Sequence, residues 1–234
     1  MDTFTIHYCF TLKNNEKKKF SLEIDSQRIE LINNIPDKLP SWALLDFHKC
    51  PHCPLPTNTH SHCPLCANIV TIVEQFEGVK SFDELQLEVV TADKVIFQET
   101  TAQRAIGTLM GLVSATSGCP HTVFFRPMAR FHRPLAREET VYRAVSMYLV
   151  AQYFLQQNGE QIDMSLNGLK DIYHNLNIVN QSLVKRFRSF SKTDISANAI
   201  ILLDVYASTI PSIIEKSLED IRYLFEPYLS KKTF

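Results

Sequence analysis

The chain has 234 residues, enough to bury a sizeable core without disulfide staples, and its 45% hydrophobic and 21% charged shares are those of an ordinary globular protein. Its formal charge of -1 supplies no global field to gather nucleic acid or an anionic membrane. No apolar run approaches the ~20 residues that a membrane span needs, and the start, Met1-Asp2-Thr3-Phe4, lacks the basic and apolar regions of a signal peptide. A reducing, cytoplasmic setting is therefore expected, in which paired cysteines mean metal or redox chemistry more often than disulfides.

Phe4, Ile6, Tyr8, Phe10 and Leu12 alternate with polar residues, the pattern of a half-buried strand. The polar run Asn14 to Lys19 is a turn, and Phe20, Leu22 and Ile24 restart the alternation, which predicts a hairpin. Ile29 and Leu31 suggest a third short strand. Cys9 lies on the polar side of the first strand and reads as a bystander. Leu39 to Phe47, with the only Trp (Trp42), reads as a short apolar helical turn or an anchoring segment.

Residues 48–66 are a cysteine-rich loop: Cys50-Pro51-His52-Cys53 and Cys63-Pro64-Leu65-Cys66, two Cys-x-x-Cys pairs with His48, His52, His60 and His62 among them. Two thiols at this spacing can face one ion, and two such pairs complete the tetrahedron of a closed zinc site. Pro64 fits the first position of a helix, which makes Cys63 its N-cap and puts Cys66 in its first turn. The free N–H groups there favour thiolate, the metal-binding form. Pro54 holds Cys53 out of helical geometry, so the first pair reads as a turn. The histidines read as exposed or supporting groups beside the ion.

Ile69, Val70, Val73 and Phe76 have helical spacing, with Gly78 placed to cap. Leu85, Leu87 and Val89, then Val95 to Phe97, predict a second hairpin on the same sheet. A helix follows from Thr101, ended by Gly118, and then Cys119-Pro120-His121 repeats the wording of Cys50-Pro51-His52. Cys119 could replace Cys66 as fourth ligand, act as a separate reactive thiol beside His121 or His132, or simply pack. Phe124 to Pro134, rich in Arg and bounded by prolines, reads as an irregular connector. Helices are expected from Glu138 to Gln157, along the stripe Leu166 to Phe190, and from Ile195 to Phe225 with a break at Pro211.

Two other groups carry charge. Arg126, Arg130, Arg133 and Arg137 with interleaved Phe could bind anions or RNA, but the chain's charge balance favours pairing with carboxylates. Lys185, Arg186 and Arg188 read as the wet face of a helix. Asp46 and Asp204 sit among apolar neighbours and would need a partner such as Arg126 or Arg130 if buried. No phosphate loop, nucleophile elbow or His-Glu-x-x-His helix is present, so no catalytic residue is assigned.

The run Trp42 to Phe47, the Cys-Pro-His-Cys-Pro-Leu loop, Thr101 to Gly107, and Ser117-Gly118-Cys119-Pro120-His121-Thr122 through His132 together resemble a bacterial family of uncharacterised proteins. That resemblance spans most of the chain; it implies a bacterial cytoplasmic origin and carries over no established activity.

The expectation is thus an α+β protein. Residues 1–100 would form an antiparallel sheet carrying one helix and the loop, and 101–234 a helical part, as two units or one continuous domain. Zinc would be held by Cys50, Cys53, Cys63 and either Cys66 or Cys119, in a regulatory or interaction role. The alternatives are a redox protein or enzyme using an iron–sulfur cluster or a Cys119/His121 site, and an anion- or RNA-binding module. A protein partner is left open; a membrane is not expected.

Overall fold

The computed structural model describes residues 2–32, 34–133, 137–190 and 218–230. Strand β1 (Thr3–Leu12) turns through Asn15, whose φ is 64°, into β2 (Lys17–Asp25), and β1 then also pairs with β3 (Glu84–Val90), which pairs with β4 (Val95–Thr101). All pairings are antiparallel and the order is β2-β1-β3-β4. The period of two sends Ile6, Tyr8 and Phe10, Phe20, Leu22 and Ile24, and Leu85, Leu87 and Val89 to one buried face. Cys9 stands on the other face, between Lys19 and Glu88.

The buried face is covered by α1 (Pro64–Gln75) and α2 (Ala102–Thr116), which bury Ile69, Val70, Val73, Ile106, Leu109 and Val113 in the same core. Phe10 meets Phe76 and Phe20 edge-on, at ring-centroid distances of 4.9 and 5.8 Å. The fold is therefore α+β, a sheet in the first hundred residues followed by helices. Among these, α4 (Arg137–Gln157) packs Val141, Ala144 and Tyr148 against Leu169 and Tyr173 of α5 (Asn167–Phe190). Further along α5, Val179, Leu183 and Phe187 join the sheet core, where Phe187 packs edge-on against Trp42 at 5.7 Å.

Several local expectations are corrected. Ile29 and Leu31 form no third strand among the described residues: Leu31 makes one isolated bridge to Ile24, and Ile29 has φ 52°. The cause is Asp25, whose carboxylate accepts the N–H groups of Gln27 and Arg28 and turns the chain. The segment after Cys119 is not an irregular connector. It holds a 3-10 turn, Val123–Phe125, and a short helix α3 (Arg126–Arg130), for which Pro127 is suited because the first helical turn leaves its N–H unneeded. Helix α1 ends at Phe76, and Gly78, at φ 83°, turns the chain beyond it. Asp46 is exposed and needs no buried partner. Asp204, Pro211 and most of the last expected helix lie outside the described residues; within 218–230 the chain forms a 3-10 turn, Arg222–Phe225, and a short helix, Glu226–Leu229.

The turn between α4 and α5 is knotted by Asp163. Its carboxylate accepts the Ser165 hydroxyl and N–H, the Gly168 N–H and the Tyr148 hydroxyl, and these bonds, led by Ser165, hold it well below the usual carboxylate range. A depressed folded-state pKa gives stability that is present above the unfolded value near 3.9 and is lost as pH falls through the folded value. Asp163→Asn is therefore expected to flatten the acid limb of the stability profile below pH ~4. Urea melts from pH 6 to pH 2.5 check this; parallel profiles for the two proteins would refute it.

Candidate metal centre

Five cysteines from three places in the chain meet between the two halves. Cys50 and Cys53 come from a tight turn closed by the Cys53 N–H on the Cys50 carbonyl at 3.0 Å, in keeping with Pro54's bar to helix. Cys63 is the N-cap of α1, Pro64 starts the helix, and Cys66 lies in its first turn, fully buried. The loop is anchored on the Trp42 segment: Cys63 N–H donates to the Ala43 carbonyl, Leu45 N–H donates to that of Ser61, and Leu44 bridges His62. Gly118, at φ 81°, makes the left-handed turn after α2 that returns Cys119 to the loop.

Cys50, Cys53, Cys63, Cys66, Cys119 and His121 line one cavity of about 20 Å³. Leu55, Pro64 and Leu65 also line it, and α5 closes it through Val179, Ser182, Leu183 and Arg186. In the sequence Cys66 and Cys119 are alternatives; the structure brings both to the cavity. No cysteine among the described residues is in a disulfide.

The thiols are not alike. Cys63 is held below the ordinary thiol range, chiefly by the hydrogen bond from the Cys66 thiol, with help from helix N–H groups and the Arg186 charge against the opposing cost of burial. Cys66, whose proton makes that bond and which is buried, is pushed far up. Burial raises Cys50, although a hydrogen bond with Ser182 opposes it, and pushes Cys119 up to about 11. A thiol so protonated at neutral pH is a poor nucleophile, which weighs against a reactive Cys119. As the side chains stand, no group of three or more His, Cys, Asp or Glu among the described residues is placed to hold a metal ion.

The two Cys-Pro-His tripeptides also stack their imidazoles, with centroids 3.7 Å apart and planes 7° from parallel. The Nε2 atoms of His52 and His121 lie 3.1 and 3.0 Å from the carbonyls of Asn175 and His52. Both Nε2 atoms must therefore carry the donated proton, and in a neutral imidazole that tautomer leaves the lone pair on Nδ1. The Nδ1 of His52 is buried without a hydrogen-bond partner among the described residues, and desolvation together with the neighbouring His121 lowers its pKa. His48, by contrast, bonds Ser189, while His60 and His62 bond Thr59 and Ser61. None of these three lines the cavity.

Arg186 corrects the reading of a wet helix face. It is 2% exposed, and its guanidinium donates to the carbonyls of Trp42, Leu44 and Leu45 at 2.6, 2.7 and 3.2 Å. The signal was in the spacing: Arg186 follows Val179 by seven residues and Leu183 by three, on the apolar stripe itself. Two of the arginines expected to pair with carboxylates do so, a third lies on an aromatic ring, and the Arg137 side chain lies outside the described residues. Arg126 pairs with Glu30, Arg133 pairs with Glu139, and Arg130 lies over the Phe4 ring at 4.9 Å.

An α+β fold with a cysteine-lined cavity between its sheet-bearing and helical parts defines the class of protein. The chain belongs to a family described as a domain of unknown function (DUF6901), whose match runs over residues 6–226. No curated protein and no solved structure matches the chain. Among the described residues, no helix is long and apolar enough to cross a membrane.

Proposed function

We propose that this is a metal-binding protein whose zinc ion is held by Cys50, Cys53 and Cys63 with Cys66 or Cys119 as fourth ligand, in a regulatory or interaction role. The observation that supports this reading is the convergence of five cysteines, from three places in the chain and in no disulfide, on one small cavity. Burying several thiols together has little packing advantage over burying alanine or valine, whereas sulfur is the donor that zinc prefers. A cavity of about 20 Å³ suits a single ion better than the several irons and sulfides of a cluster. Loading would require side-chain rotation, since no three of the described groups stand placed to hold an ion, and it would release protons as thiolates form. With four protein ligands no position is left for activating water, so the ion would act by fastening the loop and α1 to the rest of the fold.

Elemental analysis and an absorption spectrum of protein purified without oxygen test the proposal. Zinc at one per chain with no visible band is the expected result. Iron with broad visible absorption would establish the iron–sulfur alternative instead, and protein free of both would end the metal reading. Alkylation with and without zinc then separates Cys66 from Cys119, since the ligand is the one that zinc protects.

A further inference from the structure

Among the described residues, Arg186 is a buried cation with no carboxylate beside it. A guanidinium at 2% exposure keeps its charge, and its hydrogen bonds go to three neutral carbonyls. A buried charge without a counter-charge is costly, so a counter-ion is expected beside it. What does lie beside it is the cysteine cavity, which Arg186 lines together with Ser182 and Leu183 from the same face of α5. Thiols that keep their protons cannot supply the missing negative charge.

A soft divalent cation held by thiolates can. Four thiolates around a dication leave two surplus negative charges, and three thiolates with one imidazole leave one. Either centre is an anion in a low-dielectric setting, and it needs a cation as much as Arg186 needs an anion. We infer that Arg186 is the built-in counter-cation of the metal centre, a positioning residue that favours the thiolate-bound ion through its charge while its hydrogen bonds hold the Trp42–Leu45 segment against α5. This rests on the metal reading proposed above. It adds that the two halves of the chain meet through an ion-and-guanidinium pair, and that a neutral residue at 186 weakens binding without touching a ligand.

The test compares wild type, Arg186→Gln and Arg186→Lys for zinc affinity, by competition with a chromophoric chelator, after circular dichroism has shown each to be folded. Gln keeps N–H donors for the carbonyls but not the charge; Lys keeps the charge but not the fork. Affinity is the difference between loaded and metal-free states, so a purely structural loss, felt equally by both, leaves it unchanged. The expected result is at least a tenfold loss in Arg186→Gln, with Arg186→Lys within about threefold of wild type. Unchanged affinity in Arg186→Gln, or equal losses in both variants, would overturn the inference while leaving the metal reading intact. Wild type that takes up no zinc removes both. Should Arg186→Gln fail to fold, Arg186→Lys decides: affinity within threefold of wild type supports the inference, and a tenfold loss overturns it.

Discussion

Removing zinc with a strong chelator is expected to lower the melting temperature of the purified protein by roughly 8–16 °C. If free zinc stands at about a thousand times its dissociation constant, linkage gives about 4 kcal/mol of stabilisation. For a chain of this size each kcal/mol moves the midpoint by about 2–4 °C. The effect should be large here because the candidate ligands Cys50, Cys63 and Cys119 come from a turn, a helix N-terminus and the end of another helix, so their shared ion closes long loops. Cys63→Ser should reproduce most of the loss in untreated protein and make it insensitive to chelator. Cys9→Ser, on the outer face of β1, should leave both the midpoint and the chelator response unchanged. Differential scanning calorimetry with and without chelator reads all three. A wild-type midpoint indifferent to chelator would contradict a structural role for any bound ion.

Phe10→Ala is expected to cost about 3–5 kcal/mol, the range for deleting a buried aromatic ring. Phe10 has no exposed surface, and it stands at the crossing of β1 with its neighbours and α1, with edge-on contacts to Phe76 and Phe20 and a stacked contact to Tyr8. The hole could not close without moving sheet against helix, so both the transfer loss and a cavity penalty should be felt. Against a total stability of roughly 5–15 kcal/mol, that is a large share. The same substitution at Phe97, 59% exposed on edge strand β4, should change stability by less than about 0.5 kcal/mol. Urea titrations check the pair, with the midpoint shifting at constant slope. Equal effects at the two positions would mean that the inner face of the sheet is not the core.

The strands were legible because their period of two is uninterrupted from Phe4 to Leu12 and from Phe20 to Ile24. The start of α1 was legible because Cys63-Pro64 carries its own capping logic. Ile29 and Leu31 misled because their apolar spacing resembles a strand, while the carboxylate of Asp25 had already turned the backbone. Phe124 to Pro134 misled in the opposite sense: prolines that break a helix in its middle are at home in its first turn, where α3 places Pro127.

From its own letters the chain determined an inner and an outer face for each strand, a helix springing from the second cysteine pair, and four thiols in two Cys-x-x-Cys pairs. These are local properties, set by side-chain alternation, by proline geometry and by the reach of one turn. Three matters were decided only by tertiary packing. Cys119 joins the other four cysteines at the cavity, the imidazoles of two distant Cys-Pro-His tripeptides stack, and Arg186 is buried beside the thiols. Each depends on residues far apart in sequence: the stripe along α5 puts Arg186 on its apolar side, but which groups cover it and accept its N–H bonds is set by the remote Trp42–Leu45 segment.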